Sequence, residues 1–169
     1  FPTATGVVET RTYEGDRLAR VRATKGSTVI TDFGYCYRDP VSACGTTGGT
    51  VRDLVSRMQD LAEGDTTAYT YDNLGRLTGA TTTGTHPRTD VYGYDDASNR
   101  TMEQSNDGPI ITSVHTPNNQ LTSRGTTTYS FDKNGNRTGS SAGEAYAYNS
   151  KDQATTLTAS VTLAGVAYA

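Results

Sequence analysis

The sequence predicts an all-β chain of stacked antiparallel β-hairpins, and three observations predict it. A short phrase recurs: Tyr71-Asp72-Asn73-Leu74-Gly75-Arg76-Leu77-Thr78, Tyr94-Asp95-Asp96-Ala97-Ser98-Asn99-Arg100-Thr101 and Phe131-Asp132-Lys133-Asn134-Gly135-Asn136-Arg137-Thr138. Self-similarity of this kind is the signature of a repeat architecture. Composition agrees, since 31 of 169 residues are Thr, with 18 Gly and 11 Tyr beside them. Thr and Tyr favour strands, and Gly favours the turns that join them. The third observation is a set of aromatic pairs spaced two apart: Tyr69 and Tyr71, Tyr92 and Tyr94, Tyr129 and Phe131, Tyr146 and Tyr148. That spacing points both rings of a pair to one face of a strand.

From the N-terminus, Tyr13-Glu14-Gly15-Asp16-Arg17-Leu18 reads as a shortened copy. Cys36 and Cys44 follow around Asp39-Pro40, and two cysteines so close predict a small loop closed by a disulfide. The stretch from Val51 to Leu61 carries two patterns. Val51, Leu54, Val55, Met58 and Leu61 fit a helical stripe, with Thr50 and Gly64 as caps. Asp53 and Arg57 also repeat the spacing of Asp72 and Arg76, and in register with its neighbours the stretch is expected to be strand and turn. Beyond the three clear copies, His115-Thr116-Pro117-Asn118-Asn119-Gln120-Leu121 and Tyr148-Asn149-Ser150-Lys151-Asp152-Gln153 are relaxed ones. The second positions fall at 53, 72, 95, 116, 132 and 149, about one hairpin per step. Residues 1–65 are thus expected to hold degenerate repeats with the Cys36–Cys44 loop inserted, and residues 66–169 regular hairpins, the last one truncated.

Within one unit, Asp72 and Asp132 stand first and Gly75 and Gly135 fourth. This suits a type I turn in which Asp accepts turn N–H groups and Gly takes positive φ. Arg76 and Arg137 are expected to start the return strand and pair with an Asp of the same or next hairpin, Arg100 holding the matching place after Asp95. Tyr71, Tyr94, Phe131 and Tyr148 are expected to bury one another, with aromatic ladders setting the stack.

Several function classes lose support. The net charge is only −3, and no Lys/Arg stripe suits nucleic acid. No apolar run is long enough for a membrane-spanning helix. His86 and His115 stand apart from any nucleophile elbow, so no catalytic residue, cofactor or metal site is assigned. Asp132-Lys133-Asn134-Gly135-Asn136 imitates the start of a calcium loop, but Arg137 sits where that loop needs Gly and Gly143 where it needs Glu. Asn99-Arg100-Thr101 and Asn136-Arg137-Thr138 are formal glycosylation sequons at one place in the repeat.

At Tyr69–Leu77, Tyr92–Thr101 and Tyr129–Thr138 the chain resembles the YD-repeat, or Rhs-repeat, family. That family includes bacterial Rhs toxins, shell subunits of toxin complexes and teneurins. The resemblance implies hairpins joined into a coiled ribbon or spiral, sometimes a shell around a toxin or unfolded cargo, in a secreted or cell-surface protein. It implies a non-catalytic wall, stalk or filament whose partners are flanking repeats or other copies of itself. Toxin cargo and surface glycan are further partners to expect, the latter in an adhesin-type module. Two departures matter. At 169 residues the chain is too short to enclose a domain alone, and Asp39-Pro40-Val41-Ser42 does not match the family's self-cleaving motif. Val166-Ala167-Tyr168-Ala169 resembles the opening strand of another repeat, which reads as a segment of something larger.

Overall fold

The computed structural model describes residues 6–39, 50–51, 53–159, 161–163 and 166–168, all of them strand, turn or extended chain. The strands are β1 (Val7–Glu14), β2 (Arg17–Lys25), β3 (Thr28–Cys36), β4 (Arg38–Asp39), β5 (Thr50–Val51), β6 (Arg57–Asp60), β7 (Asp65–Tyr71), β8 (Leu77–Thr83) and β9 (Arg88–Tyr94). There follow β10 (Arg100–Ser105), β11 (Ile111–His115), β12 (Leu121–Arg124), β13 (Thr127–Phe131), β14 (Arg137–Ser140), β15 (Ala145–Tyr148), β16 (Ala154–Thr158), β17 (Val161–Leu163) and β18 (Val166–Tyr168). Fourteen of them form one antiparallel sheet in the order β1-β2-β3-β6 and then β7 to β16, while β4 pairs with β5 and β17 with β18. The expected all-β fold is therefore the observed one. Within that sheet the strands follow sequence order, with β4 and β5 set apart between β3 and β6, as short connections favour.

Two compact units divide the chain: residues 1–92 with 104–108, and residues 93–103 with 109–169. In the first, β1 and β2 turn through Gly15-Asp16, and β2 and β3 through Gly26-Ser27, with register partners Glu14↔Arg17 and Lys25↔Thr28. Gly15 and Gly26 have φ of 64° and 59°, the geometry that two-residue hairpins need at their first central position. Partnered residues of an antiparallel pair share a face, so the register traces one face of this unit. It runs through Tyr35↔Met58, Met58↔Thr67, Tyr69↔Ala80 and Ala80↔Asp90. Among the described residues around Asp53 there is no helix; β5 ends at Val51, residues 53–54 bend, and β6 starts at Arg57. Asp53 does not close a repeat loop. Its carboxylate takes the Arg17 guanidinium at 2.6 Å instead.

In the second unit the strands are shorter and the aromatic slots regular. Tyr129, Phe131, Tyr146 and Tyr148 are half-buried, while Ser130 and Ala147 between them are exposed. Arg137 lies over the rings of Tyr129 and Tyr146, 4.6 and 5.4 Å from their centroids, and so interleaves cation and ring. The expectation of mutually buried aromatics needs correction. Tyr71, Tyr94, Phe131 and Tyr148 are all half-buried, and no large side chain among the described residues is fully buried. The physical reason is that a single layer of sheet covers rings from the sides by neighbouring strands, and a full core needs a second layer.

Candidate functional site

The recurring phrase folds into a recurring loop. In five-residue segments 72–76, 95–99, 116–120, 132–136, 140–144 and 149–153 the first N–H donates to the fifth carbonyl and the fourth N–H to the first carbonyl. The fourth residue is always left-handed: Gly75, Ser98, Asn119, Gly135, Gly143 and Asp152 have φ of 77°, 67°, 62°, 91°, 98° and 58°. This is a type I turn closed by a bulge. The register shifts just before Tyr71, His115, Phe131 and Tyr148, the aromatic slots.

The first side chain stitches the loop. Asp72 Oδ1 accepts N–H groups from Leu74 and Arg76, and Asp132 Oδ1 accepts them from Asn134 and Asn136. Asp95 accepts the N–H of Asn99, and Asn149 those of Lys151 and Gln153. Arg76, fifth in its loop, closes the ring by donating Nε to Asp72 Oδ2 at 2.6 Å. In the other clear copies the fifth residue is Asn, and Asn99 and Asn136 donate to Asp95 and Asp132 at 3.0 Å each. Arg100 and Arg137 come one place later. They pair with Glu103 and Glu144, since one step along a strand turns a side chain to the other face. These bonds hold all three carboxylates below their ordinary range. The Arg76 backbone N–H leads for Asp72, and the Asn99 and Asn136 side chains lead for Asp95 and Asp132.

In the second unit the loops at 95–99, 116–120, 132–136 and 149–153 are laced together by one rule, which leaves out the loop at 140–144: the fifth residue of one meets the fourth of the following one. Asn99 Nδ2 donates to Asn119 Oδ1 at 2.8 Å, and Asn136 Nδ2 donates to Asp152 Oδ1 at 2.9 Å. Gln120 Nε2 approaches Gly135 so closely that an added Cβ would lie 3.1 Å away. Both amide hydrogens of Asn99 and of Asn136 are consumed in this way, which argues against either sequon carrying a glycan. Sequence reading passed over Asn99, Asn119, Asn136 and Asp152, which do the lacing. The signal was present as an Asn just before Arg in two copies.

Threonine, a strand former by composition, makes specific contacts as well. Thr78 and Thr138 hydroxyls donate across to Thr70 and Ser130, at 3.2 and 3.0 Å, each eight residues earlier. Thr122 and Thr155 reach the carbonyls of Val114 and Ala147 at the same separation. Tyrosine hydroxyls tie hairpins to their predecessors, Tyr71 to the Val55 carbonyl at 2.8 Å and Tyr148 to that of Arg137 at 3.0 Å. Burial raises the Tyr71 and Tyr69 hydroxyls above their ordinary range.

Between the loops at 95–99 and 116–120 opens a cleft of about 380 Å³, lined by Asp95, Asp96, Asn99, His115, Thr116 and Asn119 among others. Among the described residues no His, Cys, Asp and Glu cluster is arranged to hold a metal. Asp132, first in the calcium-like run, spends its oxygens on its own loop. Cys36 is disulfide-bonded, while Cys44 lies outside the described residues.

Sequential hairpins with a recurring stitched loop define a β-repeat protein. A family model, Teneurin YD-shell, matches residues 51–168, and the chain belongs to that family. The family is a structural, shell-type one. Two crystal structures are similar at 16% identity: TcdB2-TccC3-TEV with TM-score 0.49, covering 94% of this chain, and TcdB2-TccC3-Cdc42 with TM-score 0.46, covering 90%. The chain spans only 12% of the length of each. No curated protein matches.

Proposed function

We propose that this chain is a non-catalytic wall segment of a secreted or surface YD-repeat shell, rather than a stalk or filament. The carrying observation is the strand order: fourteen strands follow the sequence in one sheet without a crossover. The lacing of loop to loop in the second unit supports the same reading, since each repeat is completed by its neighbour. Its partners would be flanking repeats or further copies of the chain, and its contents a toxin or unfolded cargo. The Cys36–Cys44 disulfide, the division near residue 65 and a structural role for the YD-phrase residues belong to this proposal. Light scattering with negative-stain imaging tests it. Large closed particles support a wall, filaments favour the filament reading, and a small monodisperse monomer argues for a self-sufficient module.

The open cleft beside Asp96 favours a second reading, an adhesin-type module that binds glycan through loop side chains. Glycan-array binding that disappears in Asp96→Ala, with the fold intact, would support it. No binding to any glycan would remove it.

A further inference from the structure

Two connections of the first unit are fastened to each other. Residues 61–64 join β6 to β7, and residues 84–87 join β8 to β9. The Thr66↔Thr83 partnership brings both to the same end of the β7–β8 hairpin, opposite the stitched loop. The Thr85 hydroxyl donates to the Glu63 carbonyl at 2.7 Å. The His86 N–H donates to Asp65 Oδ1 at 2.9 Å, and His86 Nδ1 lies 2.8 Å from Asp65 Oδ2. Gly84, at φ 125°, permits the approach; a Cβ there would fall 2.4 Å from the Gly64 carbonyl oxygen. The Asp65 side chain is 14% exposed and the His86 side chain 67%, so the ring exchanges protons freely with solvent while its partner is held in place.

We propose that His86 and Asp65 form a proton-controlled clasp between neighbouring hairpin connections, tightest in mild acid and loosest in alkali. The charged groups that act on His86 are all acidic: Asp65, and more weakly Glu63 and Asp60. The nearest cation along its own segment, Arg88, is engaged bidentately with Asp90. The hydrogen bond that the Asp65 carboxylate accepts from the ring, and then its charge, raise His86 above the ordinary histidine value. A raised folded value means that the contribution is complete below about pH 6.5, the unperturbed value, and is lost as pH rises through the folded one. Asp65 is lowered, first by the His86 N–H, so it stays ionised until pH falls below about 4. The clasp is therefore doubly charged in the window between. Above it, a neutral imidazole with its proton on Nδ1 still donates to Asp65, so the clasp loosens without parting.

The test combines NMR titration of the His86 ring with limited proteolysis at 84–87, run on the full chain at about pH 5.5 and 8. Cleavage rates are normalised to an unstructured peptide at each pH. His86 should titrate above ordinary histidine in the wild type and return to the ordinary value in Asp65→Asn. Normalised cleavage should be roughly two- to fivefold slower in acid, the scale of a surface ion pair, and that difference should vanish in His86→Gln. An ordinary His86 titration in the wild type would overturn the proposal, as would a pH difference that persists in His86→Gln. The exposed His86→Gln change keeps the test decisive even where Asp65→Asn disturbs the fold.

Discussion

The N-terminal strands and the later repeats solve the same problem by different means. Strands β1, β2 and β3 run 8, 9 and 9 residues, close through two-residue turns and are braced by side chains far apart in sequence. Asp32, buried on β3, takes Arg20 bidentately at 2.6 Å and has Arg22 at 3.4 Å. From β12 to β15 the strands are only 4 or 5 residues long. Four of the connections there are stitched loops, at 116–120, 132–136, 140–144 and 149–153, and all but 140–144 touch one another in turn. The difference teaches where register comes from. A long strand has enough ladder bonds and facing pairs to specify its own pairing, whereas a short one does not, and its loop must do so.

Breaking the long-strand device should have the largest effect. Asp32→Ala strips two arginines of their buried acceptor and should cost about 3 kcal/mol in denaturant unfolding, the low end for a broken buried pair because both arginines are partly solvated. A cost below about 1 kcal/mol would mean that the ladder alone holds these strands. On the repeat side, Tyr148→Ala should cost about 2 kcal/mol, roughly half of a full core truncation because the ring is half-buried. Tyr148→Phe should cost about 1 kcal/mol through the lost bond to the Arg137 carbonyl. Equal losses in the two variants would assign the whole effect to the hydroxyl.

A finer contrast separates the two candidates for loop closure. Asn136→Ala should speed amide exchange in both 132–136 and 149–153, since Asn136 bonds Asp132 within its own loop and Asp152 in the next. Arg137→Ala should instead loosen the packing of Tyr129 and Tyr146, read by their aromatic NMR signals. If Arg137→Ala opened the loop and Asn136→Ala left it unchanged, the loop rule would be wrong. The smallest effect is acid sensitivity. Asp72, Asp95 and Asp132 have lowered values, so what they contribute is present above about pH 3.9 and fades as pH falls through their folded values. Circular dichroism from neutral to acid should show the stability falling there, and replacing all three with Asn should flatten that slope.

Much of this was legible beforehand because it is local. An Asp first and a Gly fourth are preferences of one turn, satisfied within five residues, and the aromatic pairs follow from the two-residue period of a strand. The relaxed copies at His115 and Tyr148 were visible for the same reason, and both fold into the stitched loop. The helical stripe from Val51 to Leu61 shows the opposite case, where a genuine local pattern lost to the pairing of β3 with β6 and β6 with β7.

By itself, then, the sequence determined the repeat, its turn chemistry, the all-β class and the face on which the rings lie. Tertiary structure alone decided the partners: Asn99 and Asn136 on the loop carboxylates, Arg17 on Asp53, and His86 on Asp65. It also decided how deeply the aromatics sit. Spacing along a chain sets the direction in which a side chain points, but partnership and burial depend on which other strand lies within about 3 Å of its polar atoms or covers its ring. That distance is created only when the sheet forms.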